Sequence, residues 1–136
     1  MEPIKALSLL QPWATLVVLG IKKIETRSWT TAYRGPLLIH AGQRKSGREA
    51  AGRPTIRQHI PSFDALPFGA IVGQVTLIDV IRLGSAALPD DELAALTLEE
   101  GSFGNDRAGR WGFLFEDAQL LDVPLPAAGK LGIWEY

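Results

Sequence analysis

The sequence predicts an α+β fold: a mixed β-barrel with a few short flanking helices. Three observations lead to it. Apolar runs of strand length recur along the chain, each bounded by Gly, Pro or polar turn residues. The helical patterns between them are short and do not alternate regularly with the strands, as a doubly wound α/β sheet requires. Hydrophobic residues fill 46% of the 136 positions and cysteine is absent, so a core of ordinary size must hold by packing alone. No internal repeat interrupts the chain, and no Gly, Ser or Pro tract is long enough to be a linker, so residues 1–136 read as one domain.

Each element has its own signal. Lys5 to Leu10 reads as a first strand. Gln11-Pro12-Trp13 opens a helix, with Pro12 at the first helical position, where its missing N–H costs nothing, and Gly20 closing it. Lys23 to Trp29 and Pro36 to His40 read as strands on either side of the turn signal Tyr33-Arg34-Gly35. Gln43 to Pro61 is polar, basic and broken by Gly and Pro, which predicts an interrupted helix with loops and not a packed element. Phe68 to Leu83 is a long β run through the core, where Gly69 and Gly73 mark bends or bulges. Pro89 to Leu98 reads as a short acidic helix with Leu93, Leu96 and Leu98 turned inward. A turn-rich loop follows at Ser102 to Gly109. Trp111 to Phe115 and Ala118 to Val123 read as two strands across a turn at Glu116-Asp117, and Gly132 to Tyr136 as a last strand that closes the sheet.

The net charge of −1 conceals an uneven distribution. Lys22 to Arg57 holds nine Lys or Arg against two acids, a local balance of +7, while the remainder holds five bases against thirteen acids. Such a split lets one face attract phosphate while the rest keeps the protein in solution; the alternative is an ordinary solvated face. The segment Met1-Glu2-Pro3-Ile4-Lys5 lacks the apolar run of an export signal, and Ala14 to Leu19 falls far short of the ~20 residues that cross a bilayer. A cytoplasmic location without membrane contact is the expectation.

Three blocks carry a family resemblance: Leu7-Ser8-Leu9-Leu10-Gln11-Pro12-Trp13-Ala14; Gly20-Ile21-Lys22-Lys23-Ile24-Glu25-Thr26-Arg27-Ser28-Trp29, followed by Tyr33-Arg34-Gly35; and Phe68-Gly69-Ala70-Ile71-Val72-Gly73. The second is similar to the Gly-x-Lys-x-x-Glu-x-Arg signature of the ASCH domain family. Trp111 and Ile133-Trp134 also fit, so the chain resembles that family over nearly its whole length. The resemblance implies a PUA-like β-barrel with a cleft beside the first helix and a role in binding RNA or other nucleic acid, in transcription coactivation or RNA processing. Some relatives hydrolyse N4-acetylcytidine with a Lys and a Thr of the signature strand. Here Glu25 stands at the position of that Thr while Lys22 and Arg27 are kept, and a carboxylate does not replace a hydroxyl nucleophile.

The same residues have a physical reading of their own. On a strand, Lys23, Glu25, Arg27 and Trp29 share one face. Arg27 beside Glu25 fixes the carboxylate by charge, leaving an oxygen free to accept from a base amino group; the plainer alternative is a structural salt bridge. Lys22 follows Gly20 before the strand becomes regular, which lets it turn into the same cleft. Gln11 and Trp13 stand at the helix start, where backbone N–H groups favour an anion, and Trp13 and Trp29 are candidates either for stacking on a base or for the core. Arg34, Arg44 and Lys45 are the candidate contacts to phosphates. A nucleic-acid-binding set therefore comprises Gln11, Trp13, Lys22, Glu25, Arg27, Trp29, Arg34, Arg44 and Lys45. The competing reading is a metal-independent hydrolase of RNA or of a modified nucleoside, with Lys22, Glu25 and His40 as catalytic groups. His40 and His59 have no spaced carboxylate partners, so neither a metal nor a cofactor is expected. The expected partner is RNA, another single-stranded nucleic acid or a nucleoside.

Overall fold

The computed structural model describes residues 3–83, 90–98 and 110–136. Its strands are β1 (Lys5–Leu9), β2 (Ile24–Arg27), β3 (Gly35–Ala41), β4 (Ala70–Arg82), β5 (Trp111–Pro126) and β6 (Ile133–Glu135). They form one curled six-stranded sheet in the order β2-β5-β4-β3-β1-β6, a half-barrel of the PUA-like kind. Only β1 and β3 run parallel; the other pairs are antiparallel. The short helices are α1 (Trp13–Val18), α2 (Arg48–Ala51), α3 (Pro54–Arg57) and α4 (Asp90–Thr97).

Helix α1 plugs the hollow of the sheet. Every residue from Ala14 to Val18 is buried, and Val17 and Val18 pack with Leu7, Leu37, Ile39, Val75 and Phe113. The helix ends as the sequence predicts: Gly20 takes φ +78° and donates its N–H to the Val17 carbonyl. Its start differs by one residue, because Pro12 is the cap after a cis Gln11–Pro12 peptide and Trp13 is the first helical residue. Gly73 is a bulge where α1 presses on β4. A Cβ there would sit 2.6 Å from the Val18 side chain and 2.3 Å from the Gln119 carbonyl oxygen, and the β4–β5 register shifts between Ile71 and Gly73.

Two expectations are corrected. Residues 43–61 do pack: Ala51, Ile56 and Ile60 are buried against Leu16, on the side of α1 away from the sheet. The Gly and Pro residues break the segment into α2 and α3 without removing its apolar anchors, and a bidentate Arg48–Asp64 pair at 2.8 and 2.7 Å ties α2 to the following turn. The predicted pair of strands after residue 110 is one strand, β5. The turn signal at Glu116-Asp117 is absorbed as a register shift opposite β4, with Asp117 at φ +55°, a conformation that Asp tolerates better than most residues. Helix α4 agrees with its prediction, with Leu93 fully buried against Ile24 and Leu83. Pro89 and the loop predicted at residues 102–109 lie outside the described residues.

Candidate functional site

The signature strand β2 lies at one end of the sheet order and β1 near the other, so the curl brings their edges toward each other. Arg27 spans the gap: its Nη2 donates to the Ser8 carbonyl oxygen at 3.1 Å. Behind it sits Glu25, whose Oε2 lies 3.7 Å from that nitrogen and whose Oε1 lies 3.8 Å from Lys22 Nζ. These are ion-pair separations, longer than hydrogen bonds. The hydrogen bond to the carboxylate comes from the Thr26 backbone N–H, at 3.0 Å from Oε1. Arg110 braces the same strand by donating to the Thr26 carbonyl and hydroxyl, both at 3.1 Å.

Lys22 does turn toward Glu25, and the fold then covers it. It is 1% exposed, donates to the Thr97 carbonyl at the end of α4, and lies 4.9 Å from the centre of the Trp13 ring. Glu25 is 6% exposed. Arg27 is the member of the cluster that reaches the surface, with a side chain 29% exposed. Its Nε is buried with no hydrogen-bond partner among the described residues. Glu25 thus has Lys22 on one side and Arg27 on the other, and of these Arg27 opens toward solvent.

An open groove of about 820 Å³ begins at Arg27. Its floor contains Ser8 and His40 and its walls carry Arg44 and Lys130. The floor is a closed hydrogen-bond chain. His40 Nε2 faces the Ala127 carbonyl at 2.7 Å, an acceptor only, so that nitrogen carries the proton and Nδ1 accepts from the Ser8 hydroxyl at 3.0 Å. Trp134 Nε1 donates to Ser8 Oγ at 3.0 Å, and Gly129 lies so close that a Cβ would stand 2.6 Å from both Ser8 Oγ and His40 Cε1.

The remaining candidates fall into four groups. Gln11 is fully buried, with its amide donating to the Pro67 carbonyl at 2.9 Å and accepting from Thr15 N–H at 3.0 Å. It braces the start of α1, where Ala14 and Leu16 N–H are also bonded to backbone carbonyls, so three of the donors expected to favour an anion there are already engaged. Trp13 and Trp29 are half-buried; Trp29 packs edge-on to Phe113, with ring centres 5.1 Å apart. Arg34 is exposed, donates to the Thr31 and Tyr33 carbonyls and pairs with Asp79 at 3.6 Å; Lys45 lies over the Phe68 ring at 5.0 Å; Arg44 is exposed at the groove. His40, 2% exposed with both ring nitrogens engaged, is part of the floor and not a free base. Sequence reasoning missed Ser8 and Lys130. Ser8 stands inside the first resemblance block, which was its only signal, and Lys130 carries none. Among the described residues, no group of three or more His, Asp or Glu converges as a metal site and no helix is long and apolar enough to cross a membrane.

Comparison with known proteins adds the family context. The ASCH domain profile matches residues 7–111. Activating signal cointegrator 1 of Mus musculus is 32% identical over 135 residues and that of Homo sapiens 31%, each match covering 95% of this chain. The chain spans only 22% of the length of these relatives. The crystal structure of ASCH from Zymomonas mobilis superposes with a TM-score of 0.50 at 17% identity, over 91% of this chain and 73% of that one, which supports the fold alone.

Proposed function

This chain belongs to the ASCH domain family, and on that footing we propose that it is an RNA-binding module that captures a nucleotide of a single strand at the Lys22–Glu25–Arg27 cluster. The observation that carries this reading is the placement of Arg27. It is the cation of the cluster that reaches solvent, it stands at the head of the open groove, and its buried Nε has no hydrogen-bond partner among the described residues. An anion at Arg27 would meet the guanidinium in a setting partly removed from water, where such contacts are strong. Glu25 and Lys22 serve in this reading as positioning residues that hold the guanidinium, and the basic segment from Lys22 to Arg57 attracts the strand. Capture is favoured over hydrolysis because the Lys22 ammonium and both His40 nitrogens already have intramolecular partners.

The test is binding of labelled single-stranded RNA across a salt series. Affinity should fall linearly on a log–log plot, with a slope of about −0.7 for each phosphate neutralised. Arg27→Ala should weaken binding and flatten the slope, while Arg27→Lys, which keeps the charge but loses the planar fork, should recover only part of the affinity. Binding that ignores salt, or an Arg27→Ala protein that binds as the parent does, would refute the proposal.

A further inference from the structure

The groove beside Arg27 is lined by charge of one sign. Three cations line it, Arg27, Arg44 and Lys130, and no acidic residue does. They come from three separate parts of the sequence: the signature strand, the segment after β3, and the loop before β6. Lys130 belongs to the portion of the chain in which acids outnumber bases thirteen to five, yet the fold sets it opposite the basic segment. Among the described residues, neither Arg44 nor Lys130 has a hydrogen bond or an ion pair. In a protein of net charge −1, two cations without a counter-ion among the described residues, facing one groove beside Arg27, are a standing attraction for an anion.

The size and lining of the groove define that anion further. A volume of about 820 Å³ exceeds what a simple inorganic ion fills and lies within the range of small-molecule sites. Leu10, 38% exposed, and Leu131, 97% exposed, offer apolar faces beside the cations. Together these match a phosphate attached to a sugar. We infer that the groove is a nucleotide phosphate subsite in which Arg44 and Lys130 grip a phosphate adjoining the nucleotide held at Arg27. The inference rests on the RNA-binding reading and adds to it the position of the strand's path: from Arg27 across the Ser8–His40 floor to the loop 127–131. The hydrogen-bonded floor holds that loop, and with it Lys130, against the ends of β1 and β3.

The experiment uses the full chain and short single-stranded RNAs, each made with a 5′-phosphate or a 5′-hydroxyl, and compares Arg44→Ala, Lys130→Ala and the double variant with the parent. Lys5→Ala, at a lysine paired with Glu135, controls for the loss of one charge elsewhere. Because each lost contact withholds about 0.7 of a counter-ion, each groove variant should bind about fivefold more weakly at about 0.1 M salt, with a slope smaller by about 0.7, and the double variant about 25-fold more weakly. An effect confined to the 5′-phosphorylated strand assigns the subsite to a terminal phosphate; an equal effect on both strands assigns it to an internal phosphodiester. Parent-like affinity and slope in the double variant, while Arg27→Ala still weakens binding, would overturn the subsite and leave the RNA-binding reading standing. No salt-dependent binding by the parent would remove both. Both substituted side chains are exposed, so folding is preserved and circular dichroism verifies it.

Discussion

Replacing Glu25 with Gln tests whether the cluster is as desolvated as its burial implies. The change keeps the shape of the side chain and its acceptor for the Thr26 N–H but removes the charge that faces Lys22 and Arg27. At separations of 3.8 and 3.7 Å, each pair is worth about 4 kcal/mol at an effective dielectric of about 20. That attraction offsets the cost of keeping Lys22 out of water, since its side chain is 0% exposed. Without it the cluster loses the carboxylate charge that faces both cations, and buried pairs broken on one side lose about 3–5 kcal/mol. The lower end applies here, because the separations exceed hydrogen-bond length and Arg27 still reaches solvent; we expect a loss of about 3 kcal/mol. Urea unfolding followed by tryptophan fluorescence measures it, with Lys22→Met/Glu25→Gln as the companion. The double variant should recover part of the loss, since the buried ammonium goes with the lysine. A Glu25→Gln protein within about 0.5 kcal/mol of the parent would show that the cluster is hydrated and not desolvated.

Two further outcomes follow from the same geometry. Ser8→Ala removes the partner of both Trp134 Nε1 and His40 Nδ1, so it should cost about 1–3 kcal/mol in thermal or urea unfolding, and a parent-like stability would mean that the floor is not closed. Asp64 accepts two hydrogen bonds from Arg48, which together with the charges of Arg48 and Lys45 hold its carboxyl below the usual range. A depressed carboxyl contributes stability above its unfolded pKa of about 3.9 and loses it as pH falls through the lower folded value. The urea midpoints of the parent and Asp64→Asn should therefore differ at about pH 6 and draw together as the pH falls through the lowered folded value. The gap should be small and shrink with salt because the pair is exposed, and a gap that widens on acidification would contradict the assignment.

Much of the fold was legible because its signals are local. The cap at Gly20, the bulge at Gly73 and the strands around them follow from φ requirements and alternation that a few neighbouring residues decide. The two corrected elements were misread for one shared reason. Gly and Pro in residues 43–61, and Glu116-Asp117 in β5, are turn signals in isolation, but Ile56 and Ile60 have Leu16 to bury against and β5 has β4 to pair with along its length. Tertiary partners outweighed local propensity in both.

At the site, the sequence by itself placed Glu25 and Arg27 on one strand face and left Lys22, after the bend at Gly20, free to join them although strict alternation would set it opposite. It also determined that positive charge is concentrated between Lys22 and Arg57. Only the tertiary structure decided which members stay in contact with water. Thr97, 75 residues from Lys22, supplies the carbonyl that draws the lysine inward; Ser8 draws Arg27 across the curl of the sheet; and the loop after β5 carries Lys130 to the groove. Burial and charge pairing depend on which distant segments pack on one another, and no periodicity within one segment encodes that choice.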